Sequence, residues 1–259
     1  MDQMDMPTNP FKTALRAGRS LTGIRTSLYS PAIVELLSDC GFDYVYIDTE
    51  HTPADVKTVQ AQLWAIRGSS SMYLVRPPEN NEVVIKKFLD IGVQNFLIPM
   101  VQSPDDARRA VSATRYPPQG TRGVCGRSGA NRYGRLKDYY RHADDQLCVV
   151  AMIETRTALD RLEEIASVEG VDAVWVGPGD LAADFGLLGA GGASHPDVRA
   201  AIDDAIARAK HIGKPIGVPS SNEIIAKTLV AAGCALVTIS SDVDILVEHG
   251  DRLAKFMKS

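Results

Sequence analysis

The segment FDYVYIDTEH, residues 42–51, joins an apolar run to a cluster of ionisable side chains. Its first half, residues 44–47 (YVYI), is aromatic or β-branched without polar alternation, which predicts a strand buried on both faces. Asp48, Glu50 and His51 follow directly. Carboxylates and an imidazole at a strand end can transfer protons or bind a metal, so we expect chemistry here rather than a charged loop.

Further polar residues follow other apolar runs of the chain. Arg76 ends the run MYLVR, Glu154 ends LCVVAMIE, and Asp180 follows Gly-Pro-Gly after the run AVWV. Glu154 and Asp180 lie after successive predicted strands and could jointly hold a hard divalent cation that keeps several waters. This donor set favours Mg2+ or Mn2+ over Zn2+, because no Cys and only His51 would lie nearby.

These residue types suit metal-assisted enolisation of a 2-oxo acid. A cation would polarise the carbonyl, Arg76 would stabilise the charge developing on oxygen, and His51 would move the proton. Asp48 beside His51 would fix the imidazole tautomer and raise its basicity. Arg76 or Glu154 taken alone could equally be a loop cap or a helix-initiating charge, since charged helix starts are common.

The elements that must position these residues alternate regularly. Eight strand-like patterns, each followed by a helix-like pattern, are counted along 259 residues, which predicts an α/β fold: a closed (β/α)8 TIM barrel as one domain over residues 1–259. In such a barrel the residues after every strand share one mouth, including Ser240, Ser241 and Asp242. A doubly wound open sheet is the alternative, but no dinucleotide-binding glycine fingerprint is present.

One segment, at about residues 115–146, interrupts this alternation. It is rich in Gly, Pro and Arg, and its four tyrosines give it apolar surface with which to pack. A loop of this length in a compact domain is more often functional than disordered. We expect a lid or a subunit contact.

Composition limits the classes of partner. Hydrophobic residues make up 45%, charged residues 23%, and the net charge is −4, so we expect no nucleic acid partner, with residues 122–141 as the one weakly basic exception. No apolar run approaches the roughly 20 residues of a membrane span, and the N-terminal ten residues lack the apolar stretch of a signal peptide. The four cysteines are widely spaced, which indicates reduced thiols and a cytoplasmic protein without membrane contact.

Several motifs together resemble the HpcH/HpaI family of metal-dependent class II pyruvate aldolases. They are IDTEHTP, YLVRPP, LDIGVQNFLIPMV, RYPPQGTRG, MIET, VDAVWVGPGDLAADFG and HPDV, in this order, from about residue 30 to about residue 242. The resemblance implies a barrel of the phosphoenolpyruvate/pyruvate type whose last helix is exchanged with a neighbour, homo-oligomers (trimers or hexamers), and reversible cleavage of 4-hydroxy-2-oxo acids to pyruvate and an aldehyde.

The resemblance also implies roles for individual residues. Glu154 and Asp180 would bind the divalent cation (Mg2+, Mn2+ or Co2+), His51 would be the base with Asp48 as its partner, and Arg76 would bind the pyruvate oxygen and its enolate. Backbone N–H groups of Gly179 and Asp180 would bind the pyruvate carboxylate.

The chain departs from the family pattern around the substrate pocket. Thr49 stands where the family usually has Gly, and Met152 lines the pyruvate site where the family usually has Gln. Residues 24–26 (IRT) stand where a Trp is common, and GVPSSN after the seventh strand is unusual. The same basic chemistry on a different substrate is therefore expected.

Two other functions are compatible with these residues. One is a CoA-ester lyase acting on malyl- or citramalyl-type substrates, although no additional basic groove for the CoA phosphates is evident. The other is a non-catalytic barrel that binds a metal and a 2-oxo acid, a reading motivated by Met152.

Overall fold

The computed structural model describes residues 4–258, so the first three residues of the N-terminal stretch and the last residue lie outside the description. Eight parallel strands form one closed barrel in sequential order, which confirms the predicted (β/α)8 fold. The strands are β1 (Leu21–Thr26), β2 (Tyr44–Asp48), β3 (Met72–Arg76), β4 (Asn95–Ile98), β5 (Cys148–Ile153), β6 (Ala173–Val176), β7 (Ile216–Ser220) and β8 (Leu236–Ser241).

Helices surround the barrel. They are α1 (Pro10–Arg16), α2 (Pro31–Ser38), α3 (Val56–Ala65), α4 (Glu82–Ile91), α5 (Pro104–Thr114), α6 (Tyr139–His142), α7 (Arg156–Asp160), α8 (Leu162–Ala166), α9 (Pro178–Asp184), α10 (Pro196–His211), α11 (Glu223–Ala231) and α12 (Asp242–Phe256). Several of them begin at a side chain that caps the first turn. The Ser103 side chain, for example, accepts the Asp106 N–H at the start of α5, because the first turn of a helix leaves its N–H groups without partners.

The barrel interior is filled by large aromatic side chains. All five residues of β2 are buried, as predicted from its unbroken apolar run, and Tyr46 of β2 packs edge-on against Trp175 of β6. Glycine makes room for these rings, since a Cβ atom on Gly217 would lie 2.3 Å from the Trp175 ring and one on Gly23 would lie 2.4 Å from the Tyr44 ring. Phe11 of α1 packs against Tyr44 from the N-terminal end of the strands. The interior is therefore a packed core, and open space remains at the other end.

The segment after α5 is packed against the barrel. Tyr116, Leu136 and Tyr139 form a small separate apolar cluster. The buried Arg122 guanidinium lies 4.4 Å from the centre of the Tyr116 ring and donates a hydrogen bond to the Tyr139 hydroxyl. Tyr116 and Tyr139 thus contribute the packing that the sequence predicted, whereas Tyr133 and Tyr140 are exposed. The role of this segment as a lid or a subunit contact stays a prediction.

All four cysteines are free thiols. Cys148 and Cys234 are buried, Cys125 is half-buried and Cys40 is exposed. Among residues 4–258, no helix has the length and apolarity needed to cross a membrane.

Candidate active site

A cavity of about 390 Å³ opens at the carboxyl ends of the strands. Six of the seven residues that the sequence proposed for the site line it: His51, Arg76, Met152, Glu154, Gly179 and Asp180. They come from separate β–α units, and the closed barrel brings them together because every parallel strand ends on the same face. The seventh, Asp48, lies beneath this surface and is almost completely buried.

Asp48 and Arg76 form a buried ion pair on adjacent strands. The Arg76 Nε atom donates to Oδ1 of Asp48 at 2.9 Å, and Nη2 donates to Oδ2 at 2.7 Å. Burial alone would raise the pKa of Asp48, but the hydrogen bonds from Arg76 outweigh it and hold the pKa below its ordinary value. Such a two-point pair fixes the plane of the guanidinium group.

This pairing corrects the predicted partnership of Asp48 with His51. Asp48 and Arg76 are opposite each other in the register of β2 and β3, and both oxygens of Asp48 are used by Arg76. His51 lies three residues beyond the strand, in the following loop. The side chains that meet are thus set by strand register rather than by proximity in sequence.

Glu50 is the carboxylate that lies between Arg76 and His51. Its Oε2 atom is 2.7 Å from Nη1 of Arg76 and 3.7 Å from Nε2 of His51. Burial raises the pKa of Glu50 despite the opposing charge of Arg76. The His51 side chain is 61% exposed and faces the cavity. Sequence reasoning placed Glu50 in the cluster without a role, and the structure shows it contacting both of the reactive side chains.

Glu154 is the most deeply enclosed carboxylate of the cavity. Its Oε2 atom accepts a hydrogen bond from the Met100 N–H at 2.8 Å, and Oε1 lies against Gly177, where a Cβ atom would be only 2.9 Å away. Burial, with the negative charges of Asp180 and Glu50, raises the pKa of Glu154 to about 7 against the Met100 hydrogen bond. Glycine at position 177 is therefore required by the close approach of this carboxylate.

Met100 is a site residue that the sequence did not reveal. Its backbone adopts φ of 52°, in the left-handed region that non-glycine residues rarely occupy. This conformation is accompanied by the N–H contact with Glu154 described above. No sequence signal could have identified it, because methionine is not a residue that favours this conformation.

The carboxylates in this cavity fit a divalent cation. Glu50, Glu154 and Asp180 each lie close enough for their charges to act on one another, and one added cation would relieve that repulsion. Within the described residues, no three His, Cys, Asp or Glu side chains form a ready-made metal cage. Two carboxylates plus solvent is a donor set typical of Mg2+ or Mn2+.

The remaining candidate residues have defined positions. Asp180 and Gly179 lie in the first turn of α9, which Gly177 precedes as the N-terminal cap, so their N–H groups have no acceptor within the helix. Met152 is buried in β5 with its side chain at the cavity wall. The Thr49 hydroxyl donates to the backbone carbonyl of Arg76 at 2.6 Å and is buried. Thr49 therefore stabilises the end of β3 and does not face the cavity.

Residues 240–242 lie at the end of β8. Ser240 lines the cavity with φ of 58°. Ser241 caps α12 through the Asp244 N–H. Asp242 is buried and accepts hydrogen bonds from the hydroxyl of Thr26, the last residue of β1, and from the N–H groups of Ser27 and Leu28 after it. Of these three residues only Ser240 lines the cavity.

Comparisons with known proteins found related sequences and structures over nearly the whole chain. The sequence model of "HpcH/HpaI aldolase/citrate lyase" matches residues 22–248. The chain is 46% identical to a pyruvate aldolase from Rhizobium etli, with 97% of this chain and 98% of that protein covered. It is 47% identical to a 4-hydroxy-2-oxo-heptane-1,7-dioate aldolase from Shigella sonnei, with 95% and 94% covered. A crystal structure of a HpcH/HpaI aldolase/citrate lyase family protein from Burkholderia cenocepacia superposes with a TM-score of 0.93 at 36% identity, covering 97% of this chain and all of that one.

Proposed function

The chain belongs to the HpcH/HpaI aldolase/citrate lyase family, and from this we propose the reaction of its cavity: reversible aldol cleavage of a 4-hydroxy-2-oxo acid to pyruvate and an aldehyde, with a divalent cation. The enzyme is a pyruvate-type aldolase, a carbon–carbon lyase. The observation that carries the proposed reaction is the meeting of Glu154 and Asp180 with Arg76 and His51 in one cavity.

The cation would be held by Glu154 and Asp180. When bound, it supplies Lewis acidity that makes the C3 protons of a 2-oxo acid more acidic. Its identity is proposed as Mg2+, Mn2+ or Co2+, because the ligands are two carboxylates with room for solvent.

Arg76 and the start of α9 would hold the 2-oxo acid. Asp48 accepts from Nε and from Nη2 of Arg76, and Glu50 lies 2.7 Å from Nη1, which leaves the second protons of Nη1 and Nη2 for a ligand oxygen. These stabilise the negative charge that develops when pyruvate becomes an enolate. The N–H groups of Gly179 and Asp180, which lie in the first turn of α9 and have no acceptor within that helix, would donate to the pyruvate carboxylate.

His51 would carry the proton. In the direction of synthesis, His51 accepts a proton from C3 of pyruvate, the enolate carbon attacks the aldehyde carbon, and His51 returns that proton to the aldehyde oxygen, which becomes the 4-hydroxyl group. In cleavage the same steps run backwards, and the proton returns to C3. Glu50 stabilises the protonated imidazole, because its carboxylate lies 3.7 Å from Nε2.

Exchange of the C3 protons of pyruvate with solvent deuterium tests this proposal. With Mg2+, Mn2+ or Co2+, the protein should lose the methyl proton signal of pyruvate, as followed by NMR. Asp180→Ala should lose both metal binding and exchange. Absence of exchange with all three metals would refute the enolisation step, and tight binding of oxalate without exchange would instead support a non-catalytic binding barrel.

We also propose that the enzyme is a homo-oligomer. The last helix, α12, carries Ile245, Leu246, Val247 and Leu253, whose side chains are between 44% and 57% exposed. Several exposed large apolar side chains on one helix are typical of a subunit interface. Sedimentation analysis of the wild type and of Leu246→Ser would test it, because a monomeric wild type contradicts the proposal.

A further inference from the structure

A second cavity, of about 460 Å³, lies at the amino-terminal end of the barrel. Met72 and Asn95, the first residues of β3 and β4, line it together with the carboxyl-terminal ends of α3 and α4 and the segment that follows α5. Among residues 4–258, it shares no lining residue with the catalytic cavity. About 13 Å of β3 separates Met72 in this cavity from Arg76 in the other. Small-molecule sites commonly have volumes of about 300–1,000 Å³, so an organic ligand would fit.

Arg122 is a buried charge in the wall of this second cavity. The residue is only 2% exposed, and its Nη2 atom donates to the Tyr139 hydroxyl at 2.9 Å. The Nε and Nη1 atoms are also buried, and neither has a hydrogen-bond partner within residues 4–258. Such donors are costly, because they have lost water without gaining an acceptor. The structure therefore calls for an acceptor that the described chain does not supply.

Two carboxylates lie near Arg122 without pairing with it. The charge of Arg122 acts on Asp90 and on Asp144, yet in the described part of the chain neither accepts a hydrogen bond from it and neither lines the cavity. Burial raises the pKa of both carboxyl groups despite that charge. In a closed structural pair the carboxylate is at hydrogen-bond distance, as Asp48 is from Arg76. Arg122 is therefore not such a pair.

Aromatic rings and the backbone hold Arg122 in place. Its guanidinium carbon lies 4.4 Å from the centre of the Tyr116 ring and 5.9 Å from that of the Tyr139 ring. The backbone N–H of Arg122 donates to the Arg115 carbonyl at 2.8 Å. A donor that is already fixed loses little conformational entropy when a ligand binds. Arg122 is thus prepared for a ligand before the ligand arrives.

The other walls combine apolar surface with positive charge. Six buried apolar residues line the cavity: Leu63, Ile66, Leu89, Val93, Leu136 and Leu147. Arg67 and Arg132 line it and are exposed. Among the described lining residues the one acid is Asp43, which is itself paired with Arg19 at 3.4 Å. An apolar body with a negative charge is the ligand that matches these walls, whereas a single water of about 30 Å³ would leave most of the space unfilled.

We propose that this cavity binds an organic carboxylate with an aromatic or branched aliphatic body, and that Arg122 donates hydrogen bonds to the carboxylate. A monoanion matches the single buried cation of the described wall better than a phosphate ester does, because Asp90 and Asp144 would repel a second negative charge. The site is separate from the catalytic cavity, and its ligand takes no part in the proposed aldol cleavage.

Calorimetric titration with 2-naphthoate and 2-naphthylmethanol tests the proposal, because these two ligands share a ring system and differ in charge. The wild type should bind the carboxylate at least about 10-fold more tightly than the alcohol. Acetate, which lacks the apolar body, should bind at least about 100-fold more weakly than 2-naphthoate. Saturating Mn2+ and oxalate, added to occupy the catalytic cavity, should change the affinity for 2-naphthoate by less than about twofold, since separate uncoupled sites do not compete.

Substitutions locate the ligand. Arg122→Met should lower the preference for the carboxylate over the alcohol at least about 10-fold, whereas Arg122→Lys should keep part of it. This ratio of dissociation constants does not depend on how much of a variant is correctly folded. Ala130→Phe retains Arg122 but places a ring in the cavity wall, and it should weaken both ligands at least about 10-fold. Arg127→Met is the matched control: Arg127 is an exposed cation of the same segment outside the described cavity wall, so its ratio should stay within about threefold of wild type.

Several results would overturn the proposal. Absence of 2-naphthoate binding to the wild type would mean that the cavity holds water alone, and displacement of 2-naphthoate by oxalate would place the ligand in the catalytic cavity. An unchanged ratio in Arg122→Met would remove Arg122 from the site. If Arg122→Met does not fold, undiminished binding by Ala130→Phe would overturn the proposal in its place. Tighter binding of 2-naphthyl phosphate than of 2-naphthoate would overturn the assignment of a carboxylate.

Discussion

Substitution of Asp48 by Asn tests whether this carboxylate is the buried partner of Arg76. The variant keeps the shape of the side chain but replaces one acceptor oxygen with an amide that points donor hydrogens at the guanidinium. Two hydrogen bonds of 2.9 and 2.7 Å are affected, and both side chains are no more than 5% exposed. The buried Arg76 charge would then retain only Glu50 as a partner.

The expected loss of stability in Asp48→Asn follows from the free-energy cost of a buried charge without a full set of partners. Removal of one partner from a buried ion pair costs about 3–5 kcal/mol of unfolding free energy. Glu50 stays at 2.7 Å from Nη1, so we expect the lower end, about 3 kcal/mol. Urea denaturation followed by circular dichroism measures this difference in unfolding free energy. The slope of unfolding free energy against urea concentration should be the same for wild type and variant.

The pH dependence provides a second readout of the same pair. Because the folded-state pKa of Asp48 is lowered, its stabilising effect is complete above its ordinary pKa and is lost as pH falls through the folded value. The difference in unfolding free energy between wild type and Asp48→Asn should therefore be constant near neutral pH. It should become smaller as the pH falls below 3.8, the ordinary pKa of an aspartate side chain.

An exposed ion pair is the matched control. Arg161 and Glu164 are paired at 3.0 Å on the surface, and Glu164→Gln should cost less than about 1 kcal/mol. If Asp48→Asn lowered the unfolding free energy by no more than Glu164→Gln does, the reasoning would be refuted. The buried charge of Arg76 would then not depend on Asp48 for its stabilisation.

Three further outcomes follow from the geometry of the cavity. Glu154→Gln removes the charge of the carboxylate whose pKa burial raises to about 7, so Mn2+ affinity by calorimetry should fall at least about 10-fold, and unchanged affinity would exclude Glu154 as a ligand. Gly177→Ala places a Cβ atom 2.9 Å from Oε1 of Glu154 and should also weaken Mn2+ binding, whereas Gly189→Ala, where a Cβ meets open space, should not. His51→Ala should slow exchange of the pyruvate C3 protons by about 10²- to 10⁴-fold with Mn2+ affinity within about threefold of wild type, and full exchange activity would contradict its role as the base.

The sequence was informative wherever a property is local to one segment. The buried strand at residues 44–47 was recognisable because a strand covered on both faces has no polar alternation. Repetition of strand and helix patterns predicted the barrel, and the barrel predicted that residues following different strands meet at one end. His51, Arg76, Glu154 and Asp180 could be grouped in this way before any distance was known.

The sequence was uninformative about which of these side chains contact each other. Asp48 is nearer to His51 along the chain, yet it pairs with Arg76, because strands β2 and β3 align with these two residues opposite each other. The left-handed backbone of Met100, which accompanies the N–H contact with Glu154, has no signature in the residue type.

Sequence pattern alone thus determined the fold, the end of the barrel where chemistry occurs and most of the polar residues found there, since periodicity and strand ends are properties of short segments. Tertiary structure alone decided the pairing of Asp48 with Arg76 and the place of Glu50 between Arg76 and His51. These depend on strand register and on burial, which are fixed only when segments far apart in the chain pack together.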